Sequence, residues 1–509
     1  MRKKRNPQCS MELHYVPHEI CSQLSGISQW LDAHPQFNDW IYEDLSSGDK
    51  QNTGRNGLSA ESVLRAALLK QYLNCDYDYL SFVLMDSMLF RDFCRLEPNQ
   101  RPSRSSLHGL ISLLTASTWE RINNCQLMTA KDQGIEKGRT VAIDSTVTES
   151  DIKPPCDSDL LASSVKEICR LLERGQTLTA TPLYEYTHHN RAVKDAARKC
   201  IYAGKEERHQ HYKKLLQLTR KSRKVLIEAT VTLANARQQG QCLLADDADK
   251  WQADVDHLLP LVDAIVSQTE RRVFKGEKVP AQEKVVSLYE PHTDIIVKDR
   301  RQVQYGHKLN LVQGKSRLIL DLVIEEGNPA DSDQFIPMME RQKEMALIGL
   351  QTVPRLNLAE ALIIKGSQSF ARQFALKPYI AWSTSNFHCR AVRKSNRAKE
   401  IYGRVPRQTS GDGGYACRAN LEKAKAMGIS DVAFNKKRGL EVEEMTKSQY
   451  VYKTLFRFRA GIEAGISWLK RCFGLSRCHC KGSERFDSHC WLSVVCYNLV
   501  ILARHPAPS

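Results

Sequence analysis

At 509 residues with 74 Lys and Arg against 58 Asp and Glu, the chain is too long for one ordinary core, and two or three domains are expected. The net charge of +16 points to a polyanionic partner, nucleic acid ahead of an anionic membrane surface. The start, MRKKRNPQCSMELHYV, does not read as a secretory signal, because no apolar run follows its cations, and CWLSVVCYNLVILA, Cys490 to Ala503, reads as a buried C-terminal helix, being shorter than the roughly 20 residues a membrane span needs.

A cytoplasmic protein is expected, and its 16 scattered cysteines read as reduced thiols rather than a disulfide framework. The tightest group, Cys472, Cys478, Cys480 and Cys490 with His479 and His489, lacks the paired spacing of a structural zinc site. These are read as ordinary core and surface residues, with zinc as the lesser alternative.

In chain order, LSAESVLRAALLKQYL has helical spacing, with Ser59 as a candidate N-cap and Val63, Ala67 and Leu68 on one face. A second helix is expected through YLSFVLMDSMLFRDFCRL. A third follows the turn in RPSRSSLHGLISLLTAST. Three short helices with a basic turn fit a DNA-reading module or, equally, a packing and dimerisation bundle.

The segment RTVAIDSTVTESDI then alternates as a strand, with Asp144 on the same face as Ala142 and Thr146. From about Ser158 to Arg272 the pattern is helical and polar. Between Arg191 and Lys224, twelve cations face three acids, which is either a solvated helix face or a phosphate-contacting arm.

Strands are expected at KVVSLYE, YGHKLNLVQ and SRLILDLVIEEG. A helix from about Asp333 to Leu347 and a mixed segment to about Arg407 follow. TSGDGGYACRANLEKAKAMGISDVAF reads as a strand end, a glycine turn carrying Asp412, a helix from about Arg418 to Met427 and a short strand. A helix carrying Glu463 comes next. In order, these elements describe a strand-rich α/β domain interrupted by a helical insertion.

Glu463 is isolated. The nearest other acids are Glu444 and Glu484, and eight cations lie between them. Phe456, Arg459, Glu463 and Lys470 follow one another at intervals of three, four and seven residues, which stacks them along one helical face. A surface ion pair between Arg459 and Glu463 would be worth only a few tenths of a kcal/mol, ~0.3. A metal ligand flanked by phosphate-binding cations accounts better for one acid among so many cations. Asp144, Asp412 and Glu463, on separate segments, form the kind of carboxylate set that holds Mg2+ ions for in-line displacement at phosphorus. Asp331 and Asp333 in NPADSDQF are rival acids that read first as helix caps.

The spacing around Glu463 resembles the Y-x2-R-x3-E-x6-K signature of DDE transposases of bacterial insertion sequences, with Phe456 in the usual place of Tyr. VAIDSTVTESDI resembles the family's first-Asp strand. GDGGYACRANLEKAKAMGI resembles its second-Asp segment, with Gly413 where related proteins commonly carry Arg, and YGHKLNLV, GNPADSDQF and GLSAESVLRAALLKQYL also have counterparts.

The resemblance implies an α/β, ribonuclease-H-like mixed sheet with a large helical insertion and an N-terminal all-helical domain. Residues 1–135 would form the helical, DNA-binding or dimerisation region, and 136–509 the catalytic domain, interrupted at about 158–275. It further implies Asp144, Asp412 and Glu463 as catalytic, metal-binding residues and Arg459 and Lys470 as DNA contacts. The implied cofactor is Mg2+, two ions per site, with Mn2+ as a substitute. The partners are double-stranded DNA at element ends and target, and further copies of the chain, at least a dimer; the setting is the bacterial cytoplasm and nucleoid. The function implied is binding of terminal inverted repeats, hydrolysis of the backbone at the ends and joining of the 3′ hydroxyl to target DNA. The alternatives are a catalytically inactive, transposase-derived DNA-binding protein and a structure-specific nuclease of the same fold.

Overall fold

The computed structural model describes residues 18–46, 57–240, 242, 245–297, 302–347, 401–402, 405–435 and 438–505. The mixed segment expected to run to about Arg407 lies mostly outside them, as do the first seventeen residues.

Seven helices come first: α1 (Glu19–Asp32), α2 (Gln36–Ser46), α3 (Ala60–Tyr72), α4 (Tyr77–Asp86), α5 (Met88–Phe93), α6 (Arg104–Ile111) and α7 (Ala116–Asp132). Ser59 caps α3 as expected, its hydroxyl accepting from the Ser62 amide. The second expected helix is broken at Ser87, whose extended backbone (φ −93°, ψ 118°) separates α4 from α5. The third ends at Ile111, and Thr115 caps a new helix.

The helix α3 is enclosed on nearly every side rather than on one face. Even Arg65 is buried; it ion-pairs with Asp32 and Glu61 and donates to the Phe93 carbonyl.

The sheet begins with β1 (Thr140–Ser150) and continues with β2 (Asp294–Ile296), β3 (Gln304–Gly314), β4 (Ile319–Ile324), β5 (Gln408–Gly411), β6 (Asp431–Phe434) and β7 (Arg477–Cys478). Its order is β2-β3-β1-β5-β6, with β4 also on β3 and β7 on the end of β1. The β1–β3 and β3–β4 pairs are antiparallel; β1–β5 and β5–β6 are parallel. An antiparallel meander extended by parallel strands is the ribonuclease-H-like mixed sheet. Residues 284–290, KVVSLYE, form no strand. Val286 and Leu288 are buried there as irregular chain, because β2 already occupies that edge of β3.

Helices cover the sheet: α12 (Asp331–Leu347), α13 (Arg418–Ala426), α14 (Val442–Met445), α15 (Gln449–Cys472) and α16 (Ser483–Leu502). The last is buried almost throughout, from Cys490 to Leu502. It packs on α7, α3 and α1 on one side and on β4 on the other, so N-terminal helices and sheet share one hydrophobic core. The long insertion has its own: α8 (Asp157–Gln176), α9 (Asn190–Tyr202), α10 (Lys205–Gln238) and α11 (Ala245–Thr269) bury a second, separate apolar cluster around Trp251. Among the described residues no helix is long and apolar enough to cross a membrane.

Candidate active site

Asp144 lies on β1 and Asp412 immediately follows β5. Those strands are parallel neighbours, and their paired residues end at Ile143 opposite Gly411. The next residue on each chain is an aspartate, so the register sets the two carboxylates side by side. Asp144 takes the amide of Ser145 at 2.8 Å, and Asn435, just beyond β6, donates to Asp412 Oδ1 at 3.4 Å.

Glu463 arrives on α15. Ser448 caps that helix at the Val451 amide, and Leu455, Ile462, Ile466 and Leu469 give it the buried face that rests on β1, β5 and β6. Gly465 permits the close approach. A Cβ there would stand 2.6 Å from Gln313 Nε2 on β3 and 3.1 Å from the Tyr497 hydroxyl on α16.

The three acids meet at Arg459. One terminal nitrogen of its guanidinium lies 3.8 Å from Asp144 Oδ2 and 3.5 Å from Asp412 Oδ1; the other lies 2.5 Å from Glu463 Oε1. Its side chain is 10% exposed and that of Glu463 56%, so the cation sits beneath a cluster open to solvent on the glutamate side. Arg459, expected as a DNA contact, is here the internal counter-ion of the acids. Lys470 lies two helical turns beyond Glu463 on α15, about 10 Å of axial rise, and is partly buried. Phe456 is 45% exposed one turn before Arg459.

A supporting layer was not foreseen. Tyr415 is buried beneath the turn after β5, and its hydroxyl donates to Asn310 on β3 at 3.2 Å. Burial pushes its phenol well above the usual range, and the nearby carboxylates of Asp331, Asp144 and Asp412 push it further. Asp331, read as a helix cap, does begin α12, but its carboxylate pairs with Lys308 at 2.6 Å. Lys308 is only 3% exposed and also donates to the Pro329 carbonyl. A Cβ on Gly414 would fall 2.6 Å from Asp331 Oδ2, so the turn carrying Asp412 rests directly on this ion pair. The one trace of the layer in the sequence is the lysine of YGHKLNLV, which taken alone reads as solvent-facing.

Three carboxylates from three elements already arranged around one positive charge fit a divalent cation, which takes hard oxygen ligands and leaves further positions to water or phosphate. The guanidinium stands in for such a charge. Asp144, Asp412 and Glu463 would be the ligands of such an ion, and the chemistry it would supply there is displacement at phosphorus.

Residues 296–499 match the family model described as the transposase DDE domain, which takes in Asp412 and Glu463 and begins after Asp144. No curated protein and no solved structure matches the chain. Over residues 296–499 the chain carries a match to the transposase DDE domain, and that stretch is similar to the DDE transposases.

Proposed function

We propose that the chain acts as a DNA transposase: it binds the terminal inverted repeats of its own element, hydrolyses the backbone at the ends and joins the freed 3′ hydroxyl to target DNA. The observation that carries this reading is the convergence of Asp144, Asp412 and Glu463 on one guanidinium from two parallel strands and a helix. In this reading the three carboxylates hold Mg2+, two ions per site, with Mn2+ able to replace it. Bound there, the ions supply Lewis-acid stabilisation of an in-line displacement at phosphorus.

The chain's own groups do the rest. The register of β1 and β5 fixes the two aspartates before DNA arrives, so little reorganisation is needed at the moment of reaction. Arg459 holds the acids together and exchanges carboxylate partners for a backbone phosphate when DNA docks. Lys470, farther along α15, holds a second phosphate. The Lys308–Asp331 pair and Tyr415 keep the Asp412 turn in place.

End binding is assigned to the insertion and the N-terminal helices, the former at about 158–275 within a catalytic domain spanning 136–509, the latter within 1–135. Lys194, Lys205, Lys213, Lys214 and Lys221 on α9 and α10 are exposed. Other cations of the run are offset: Arg220 pairs with Glu270 beyond α11, Arg223 with Asp263 on it, and Arg198 and Lys199 with Asp195. Two ends must be held together for joining, so at least a dimer assembles on DNA, within a cytoplasm that contains it.

The test is a labelled duplex carrying the DNA that flanks this gene, incubated with the protein and Mg2+ or Mn2+. The reading expects nicks that expose a 3′ hydroxyl at the element boundary and joined products when target DNA is added. Binding without cutting would instead identify a DNA-binding derivative. Cutting of unrelated duplexes with equal efficiency would identify a nuclease.

A further inference from the structure

Cys478, Cys480 and His489 are not spaced in sequence as the paired ligands of structural zinc sites are. In the fold, one ligand atom from each lies within 4.8 Å of the others. The reason is local. Cys478 ends β7, which pairs with the end of β1 at Ser150, and side chains two residues apart on an extended chain project to the same side. Between them, His479 faces the other way, exposed, with Nδ1 3.5 Å from Asp151. His489 comes from the second turn of α16.

Both cysteines are free thiols. His489 Nε2 lies 3.0 Å from the Gly474 carbonyl oxygen. A carbonyl can only accept, so Nε2 carries the proton and Nδ1 keeps its lone pair. A histidine oriented by a carbonyl through one nitrogen, with the other left to ligate, is the usual outer arrangement of a metal-bound imidazole.

Charge and space agree. Cys480 and His489 line a cleft together with Lys70, Tyr77, Ser112 and Arg485, and cations next to a thiol favour the thiolate that a metal needs. Two thiolates and one neutral imidazole cancel the charge of a divalent ion.

We propose that Cys478, Cys480 and His489 form a binding site for a soft divalent cation, Zn2+ by preference, with the fourth position of a tetrahedral ion open to this cleft. It is separate from the carboxylate cluster and does not depend on the reaction assigned to that cluster. The site ties two parts together, the end of β1 through β7 and the start of α16, and faces the N-terminal bundle across the cleft lined by Lys70 and Tyr77. The same junction is already stitched by Gln71, which donates to the Phe473 carbonyl at 2.5 Å and to Ser493 Oγ at 2.8 Å. The ion therefore acts as a clip between the turn that joins α15 to α16 and the second turn of α16, next to the N-terminal helices.

The experiment uses the full-length protein, reduced and stripped of metal, titrated with Co2+ and then with Zn2+. Expected are a thiolate-to-cobalt charge-transfer band that saturates at one ion per chain, its loss on addition of Zn2+, and a rise in melting temperature with Zn2+. The band should be unchanged in Glu463→Gln, which alters only the carboxylate cluster, and absent in Cys480→Ser. His489→Gln should keep both thiols and weaken cobalt binding by at least about tenfold. A wild-type protein with no charge-transfer band overturns the proposal by itself, whatever the folding of the variants. So does a band that survives in Cys480→Ser, or a Cys478–Cys480 disulfide as the native state.

Discussion

Arg459 sets the electrostatics of the carboxylate cluster, since its guanidinium lies within 4 Å of all three acids. Arg459→Gln is expected to destabilise the metal-free protein by about 1 kcal/mol, a value kept small because the Asp412 and Glu463 side chains are about half exposed. Added Mg2+ should recover part of the loss; equal melting temperatures of variant and wild type in chelator would contradict this. Lys308 is a stronger case, because Lys308→Ala strands Asp331 beside the buried middle of β3. The expected cost is about 3 kcal/mol by denaturant unfolding, with an unchanged midpoint as the contrary result. The isolation of Glu463 among cations was visible in the sequence and led to the acid cluster. Lys308 was not, because a lysine within an alternating strand normally reads as solvent-facing, and only the arrival of Asp331 from another segment explains its burial. The partners of Arg459 were legible only in part: Glu463 lies one turn away, whereas Asp144 and Asp412 come to it through the sheet.

Among the elements, α15 and α10 carry separable burdens. The close seating of α15 depends on Gly465, and Gly465→Val should cost about 1–3 kcal/mol through overpacking against Gln313 and Tyr497. It should also reduce DNA cleavage by more than DNA binding, since it shifts the helix that bears Glu463; equal losses in both would place the effect elsewhere. On α10, a helix of 34 residues and about 50 Å, Lys213→Glu with Lys214→Glu should lower affinity for duplex DNA and flatten its dependence on salt, with little change in melting temperature. Unaltered binding would leave that face merely solvated. Long periodic elements such as α10, α15 and β1 were readable because each satisfies its own pattern. The three-residue β2 and two-residue β7 were not, being too short for any period. KVVSLYE failed for a further reason: its residues suit a strand, but the edge it would have used belongs to β2.

At the scale of the molecule, the described residues build two cores, one shared by the N-terminal helices, sheet and α16, the other inside the insertion. Calorimetry should resolve two unfolding transitions, with the insertion's unaffected by Lys308→Ala; one cooperative transition would show the cores to be coupled. The insertion was legible as a block of helical pattern, and the order of acids along the chain agreed with the ribonuclease-H-like sheet. The sharing of one core by N-terminal helices and sheet was hidden, because it depends on α16 packing against segments more than 350 residues away, as Gln126 does in donating to the Val495 carbonyl at 3.1 Å. The pairing of β1 with β5, which sets Asp144 beside Asp412, is likewise invisible to local pattern. The central claim is that this pairing and α15 assemble a metal-dependent site for cutting DNA. Its most direct test compares wild type with Glu463→Gln on a duplex bearing the element end, with and without Mg2+. The account predicts metal-dependent nicks at the boundary that fall by at least about a hundredfold in the variant, with DNA binding retained. A variant that cuts as well as wild type, or a wild type that binds the end and never cuts it, would contradict the account.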